Sequence, residues 1–411
     1  MDTSVLKNSM PVTAAGRPVT IKSKRVLSID LLRGSVMIIM ALDHVREYFH
    51  RDAFFYSPTD LTHTSVPLFF TRWITHFCAP AFVFLAGLSA HLYGSAKGGK
   101  SLSFFLLTRG IWLVFAELFI ITLFWTFNPS YPVLNFQVIW AIGVSMIALS
   151  VLIRLNRRMI LAIGIILVAG HNLLDTIHVT GKGVPAFLWA ALHEDGDFTF
   201  GHFTLLLHYP VLPWIGIMAI GYVIGSLYVP GQDGNRRKKT LLYLGTGAIV
   251  LFILLRSLNG YGDSSSWTTQ ANTAFTLLSF INVTKYPPSL LYVLMTLGPV
   301  MIFLSLGEGS LNALKAKVSI FGRVPMFYYL LHIPLVHGLA IVGAMISGHR
   351  AADMILTNRV NRVPGLQGYG FSLPAVYMVW ICVILILYPC CRWFDRYKRT
   401  NQSAKWWLSY V

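Results

Sequence analysis

Ten apolar windows, each long enough to cross about 30 Å of hydrocarbon, recur through this chain at 29–49, 68–93, 103–126, 133–153, 158–177, 209–229, 240–258, 289–306, 318–345 and 372–391. No soluble core uses so many. Of 411 residues, 55% are hydrophobic and only 12% charged, against roughly 25% charged in soluble domains. The pattern predicts an all-α, polytopic integral membrane protein of about ten transmembrane helices in a lipid bilayer.

Orientation follows from the basic residues. Lys97 and Lys100, then Arg154, Arg157 and Arg158, then Arg236 to Lys239, then Lys315 and Lys317, and finally Arg392, Arg396, Lys398 and Arg399 occupy every second connection. By the positive-inside rule both termini face the cytoplasm, in a multi-pass protein of the cell inner (plasma) membrane. The same clustering explains the formal net charge of +17 and argues against nucleic acid as a partner. Residues 1–25 read as a cytoplasmic polar tail, 26–395 as the membrane domain, and 396–411 as a cytoplasmic basic and aromatic tail whose Trp406-Trp407-Leu408 anchors at the interface. No small-residue cleavage site follows the first apolar run, so that run is expected to stay as a helix. The four cysteines, Cys78, Cys382, Cys390 and Cys391, form neither a disulfide framework nor a metal-ligand spacing. Outer connections 51–67, 178–208, 259–288 and 346–371 are longer and richer in Gly, Pro, Trp, Tyr and His, which points to a ligand met outside. Within them, 183–193 is too short to span and reads as a re-entrant or surface helix.

The first window ends in charge. Asp43, His44, Arg46, Glu47 and His50 arrive together after an apolar run from Ser35 to Leu42. Ionisable groups inside a span cost several kcal/mol unless paired or hydrated, so they mark a functional site by default. On a helix Asp43, Glu47 and His50 form one stripe. His44 lies about 16 Å beyond Arg33 along the axis. An imidazole beside a carboxylate is the commonest general base; an ion-pair knot that merely fixes the helix is the plainer alternative. Further along, Arg72 and His76 sit four residues apart, followed by Pro80, which should kink the span, and by Gly87, Ser89 and Ala90, suited to close helix contact. Arg109 reads as a snorkelling side chain, whereas Glu117 is deep enough to need a buried His or Arg partner. His171, Asp175, His178, His193, Glu194, Asp195, Asp197, His202 and His208 crowd one outer region, but without a signature such as HExxH, and no metal is expected. Lys285 and Tyr286 precede a helix start marked by Pro287 and Pro288, and His332 follows Arg323 at a depth that suits a second cavity wall.

Three stretches carry a resemblance. Arg25 to His50 opens R-x-x-S-I-D-x-x-R-G and runs through apolar residues to a polar break; Thr284-Lys285-Tyr286-Pro287-Pro288-Ser289 is followed by an LxxLGP-like run; and Gly322-Arg323-Val324-Pro325 leads to His332. Spread over residues 25–340, they resemble the heparan-α-glucosaminide N-acetyltransferase catalytic-domain family, most closely its small bacterial branch. The resemblance implies a transmembrane acyltransferase that passes an acetyl group from cytosolic acetyl-CoA to a sugar amine or hydroxyl of an extracytoplasmic glycan or amino sugar. In that reading His44 is the general base, oriented by Asp43 or Glu47, with His50 as the other candidate. Arg33 and Arg323 hold the CoA phosphates, and Arg72, His76, Lys285, Tyr286 and His332 line the acceptor side. The lysosomal members end the first conserved helix in Asn and place the catalytic His in the outer loop; here, counted without gaps, these positions are His44 and Phe55. The rival reading is a proton-coupled transporter or exporter using the same Asp-His-Glu cluster as a relay, although no repeat or paired broken helices accompany it. A homodimer is compatible with the sequence, which does not demand one.

Overall fold

The computed structural model describes residues 26–308, 312–401 and 405–409. The polar tail 1–25 and part of the C-terminal tail therefore lie outside the described residues. The described chain folds into thirteen helices and three short strands. In chain order these are α1 (Leu27–Phe49), α2 (Val66–Lys97), α3 (Gly99–Thr126), β1 (Val133–Phe136), α4 (Val138–Leu152), α5 (Arg157–Leu174), α6 (Val184–Leu192), β2 (Gly196–Phe200) and β3 (Phe203–Leu207). They continue as α7 (Val211–Tyr228), α8 (Gly234–Leu258), α9 (Thr273–Ile281), α10 (Leu290–Leu306), α11 (Ala313–Arg323), α12 (Pro325–Ile346) and α13 (Leu373–Asn401). Seven of these helices, α2, α3, α5, α7, α8, α12 and α13, are long and apolar enough to cross a membrane, and α4 and α10 are shorter apolar helices. With its 23 residues α1 matches them in length, and its five charged side chains set it apart. Each of the ten apolar windows overlaps at least one of these helices.

Two expectations need correction. The fold is not all-α: β1 runs parallel to β3 and β2 antiparallel to it, in the order β1-β3-β2. The window 133–153 thus begins as a strand, because Val133 to Phe136 pairs with Thr204 to Leu207, residues that sequence reading left in an outer connection. The apolar segment 183–193 forms α6, whose Ala186 and Ala190 pack on Phe136, Phe198 and Leu207 of that sheet. Secondly, 318–345 is not one helix. α11 stops at Arg323, Val324 leaves the helical region at φ −129° and ψ 50°, and Pro325 opens α12 at a position where its missing N–H costs nothing.

The bundle is arranged around α1, which packs against α2, α10, α11, α12 and α13. Small residues make this possible. A Cβ on Gly322 would overlap the Asp30 carbonyl oxygen, and one on Gly34 the Val318 carbonyl, so α1 and α11 approach at backbone distance. Gly87 likewise abuts the Met218 carbonyl of α7. In α2, Pro80 cannot donate to the carbonyl of His76; the helix tightens to a 3-10 turn at Ile74–Phe77, and the Tyr292 hydroxyl of α10 bonds that carbonyl at 2.7 Å. α10 starts where Ser289 caps it, accepting from the Tyr292 N–H at 3.0 Å.

Candidate active site

The two halves of α1 serve two different cavities. The outer one, about 530 Å³, is lined by Asp43, His44, Arg46, Glu47 and Tyr48, and by Arg72, Lys285, Tyr286, His208 and Arg359 from the surrounding elements. The inner one, about 420 Å³, is lined by Arg33, Met37, Arg109, Arg323, Lys398 and Tyr329 among mostly apolar side chains. Between Met37 and Asp43 lie six steps of helix, about 9 Å. That thin partition is where the chemistry-bearing groups meet.

His44 Nδ1 lies 2.7 Å from His332 Nε2 of α12. The rings stack at 4.9 Å between centroids, and the Trp125 ring stands edge-on to His44 at 4.9 Å. His332 is fully buried, and its Nδ1 lies 2.8 Å from the Tyr329 carbonyl oxygen. A carbonyl only accepts, so His332 Nδ1 carries the proton and its Nε2 accepts. His44 Nδ1 must then be the donor, which leaves the lone pair on His44 Nε2 at the outer cavity. One main-chain carbonyl thereby fixes two tautomers in series.

Asp43 is placed otherwise than as a partner of His44. One of its oxygens accepts from Arg46 Nε and Nη2 at 3.2 and 2.9 Å, and the other pairs with Arg72. The orienting group of His44 is thus His332, where sequence reading expected a carboxylate. Lys285 and Tyr286 reach the cavity on a loop held by Asp263, which accepts from Thr284 N, Thr284 Oγ1 and Ser289 Oγ at 2.9, 2.8 and 2.6 Å. Lys285 Nζ stands 5.1 Å from the Tyr286 ring centroid and 5.9 Å from that of Tyr209. Outside the spans, burial lowers His208 to about 4 and pushes the Asp195 carboxyl up at the cavity rim.

Several expected residues fall elsewhere. His50, anticipated at the outer surface, is buried and accepts from the Asp52 N–H at 3.3 Å. The cause is a strap: Phe371 N bonds Phe49 O at 2.6 Å and Arg51 N bonds Phe371 O at 3.1 Å, covering the end of α1. His76 is buried against Tyr292 and does not line either cavity. Glu117 has neither His nor Arg as its partner. It lies in a π-turn at Ala116–Ile121, and its Oε2 accepts from Ile139 and Trp140 N–H at 2.9 and 3.1 Å, capping α4 at the partition. His337 bonds the Phe124 and Met354 carbonyls and serves packing. Sequence reading missed Trp125, Tyr209 and Arg359, which lie in an apolar run or an unmarked loop and offer no local signal.

In the inner cavity Arg33 reaches Ser89 Oγ at 2.9 Å and the Gly322 carbonyl at 3.3 Å. Arg323 forms a two-pronged pair with Asp395 at 2.9 and 2.8 Å. Cations at one end and apolar walls beyond suit a long anionic molecule with an apolar arm.

This architecture defines a polytopic, mostly helical membrane protein with a polar site enclosed between its helices. Comparison then gives the lineage: the chain belongs to the heparan-alpha-glucosaminide N-acetyltransferase catalytic family, which matches residues 25–261. The matched stretch includes α1 and ends before Lys285 and His332. No curated protein matches the chain.

Proposed function

We propose that the protein is a membrane acetyltransferase that moves an acetyl group from cytosolic acetyl-CoA, bound in the inner cavity, to an amine or hydroxyl of an extracytoplasmic amino sugar or glycan in the outer one. The observation that carries the reading is the His44–His332 pair at 2.7 Å, standing between the two cavities with its free lone pair outward. Family membership supports the acetyl group and its donor. We assign both termini to the cytoplasm on the alternation of basic connections.

In the reaction His44 Nε2 takes the acceptor's proton as the acceptor oxygen or nitrogen attacks the thioester carbon. The carbon–sulfur bond then breaks, and the thiolate of CoA recovers that proton from His44. While His44 is an imidazolium, its Nδ1–H bond to His332 becomes charge-assisted and strengthens, which favours the transition state over the ground state. Arg33, Arg323 and their basic neighbours hold the phosphates. Lys285, Tyr286 and Arg72 position the acceptor. Asp43 keeps Arg46 and Arg72 in place; with both oxygens serving guanidinium groups it is a poor proton carrier, which counts against the relay reading.

Radiolabelled acetyl-CoA offered with a panel of amino sugars and glycans tests the assignment. Transfer by the wild-type protein, reduced about 10²–10⁴-fold in His44→Ala, is expected. Undiminished transfer by that variant removes His44 from the mechanism.

A further inference from the structure

A second cluster lies on the same side of the molecule, outside the two cavities described. The last turn of α5 carries His171, and Asp175 follows one turn on. His193 arrives eighteen residues later from the end of α6. One ligand atom from each lies within 4.8 Å of the other two, and His193 Nε2 is 3.2 Å from Asp175 Oδ1. Ligand atoms bound at about 2.0–2.1 Å around a tetrahedral zinc sit about 3.4 Å apart, so this pair already has the required separation.

The hydrogen bonding is incomplete in a way that points to a ligand. His171 is 3% exposed and His193 1%. The Pro288 carbonyl approaches His171, yet neither ring nitrogen of His171 makes a full hydrogen bond, nor does His193 Nδ1. An unmet buried polar group is costly, and three of these atoms share one cluster. Asp175 Oδ2 accepts from Asn172 Nδ2 at 2.8 Å, the outer hydrogen bond that aims a metal-bound carboxylate. Asp175 and His193 also line a cavity of about 330 Å³, together with His178, Glu194 and Asp195.

The geometry points to a divalent-cation site, zinc by its two-imidazole, one-carboxylate donor set, held by His171, Asp175 and His193 and fastening α5 to the segment that leads into β2. Its place gives it a purpose. Asp195, two residues past His193, lines the outer cavity. Asn172 Oδ1 accepts from Leu290 N at 3.0 Å, next to the loop that carries Lys285 and Tyr286. The cation would hold two walls of the outer cavity in register without touching the reacting atoms. The site stands apart from the acyl-transfer reading, because its readout is metal content.

The test uses the full chain in detergent, with any affinity tag removed, stripped by chelator and dialysed against zinc. About one tightly held zinc per chain is expected, absent from the His171→Ala/His193→Ala double variant and held about 10–100-fold more weakly by Asp175→Asn. Asp175→Asn keeps the shape of the side chain and guards against a variant that fails to fold. Cobalt should give the visible bands of a four-coordinate centre in wild type and none in the double variant. Zinc should also raise the melting temperature of wild type, less that of Asp175→Asn, and not that of the double variant. No bound zinc in wild type, or equal zinc in wild type and both variants, overturns the proposal.

Discussion

His332→Phe isolates the tautomer chain. The substitution keeps a ring of similar volume beside Tyr328, whose ring stacks on His332 at 5.2 Å, and removes the acceptor for His44 Nδ1–H. The Tyr328 and Tyr329 carbonyls belong to the first turn of α12, which does not depend on the His332 ring, so little folding energy is at stake. What is lost is a hydrogen bond that becomes charge-assisted as His44 takes up a proton, about 1.5–3 kcal/mol. At 1.36 kcal/mol per decade this is about 10–160-fold in kcat, with KM for both substrates little changed because neither touches His332. The loss should be smaller than the about 10²–10⁴-fold expected of His44→Ala. In the double variant His332 has nothing left to orient, so its rate should match that of His44→Ala alone. Proteoliposomes supplied with acetyl-CoA and the acceptor panel, with thiol release followed continuously, provide the assay. A His332→Phe enzyme within about twofold of wild type, or a double variant far slower than His44→Ala, refutes the reasoning.

Arg323→Ala should raise KM for acetyl-CoA well above any change in kcat, since its guanidinium lines the inner cavity; Asp395 keeps Arg399 at 2.8 Å, so a melting curve close to wild type should accompany it. Gly322→Ala drives a methyl into the Asp30 carbonyl and should cost about 1–3 kcal/mol, read as a lower melting temperature with loss of activity at both cavities; an unchanged melt contradicts the close approach of α1 and α11. His208 supplies a pH dependence: its imidazole titrates near the usual 6.5 when unfolded and near 4 when folded. Between those values the unfolded chain binds more protons, so stability rises with pH, is complete above 6.5 and is lost as pH falls toward 4. Melting temperatures from pH 7.5 to 4.5 should fall less steeply in His208→Gln, and equal slopes would exclude His208 as a source.

How far the sequence could be read depended on which forces act locally. Hydrophobic length alone located the seven helices long enough to span, and the shorter α4 and α10 beside them, because hydrocarbon thickness is a one-dimensional constraint. The strand at Val133–Phe136 was hidden because its partner, Thr204–Leu207, is some seventy residues away and because an apolar strand beside an apolar helix looks like one window. Val324-Pro325 was legible in principle; an apolar run across the break hid it. At the site, charge in a span drew attention to α1, whose His44 lines the outer cavity. The His44–His332 bond joins residues 288 positions apart, and no spacing rule reports such a pair. The same holds for Glu117, whose partner is the bare N-terminus of α4, a group that no side-chain search can find. His193 met His171 and Asp175 only because α6 folds back on the sheet.

The thinness of the partition has an electrical consequence. If both cavities fill with water and ions, little of the membrane potential drops within them, and most of it falls across the partition of about 9 Å around His44, His332 and Trp125. Moving one elementary charge through the full potential is worth about 2.3 kcal/mol per 100 mV. A proton that shifts along the axis at His44 during turnover would therefore sense a field about three times that across the lipid, the ratio of about 30 Å of hydrocarbon to about 9 Å of partition. The rate of acetyl transfer would then follow the energised state of the membrane, although no ion crosses it.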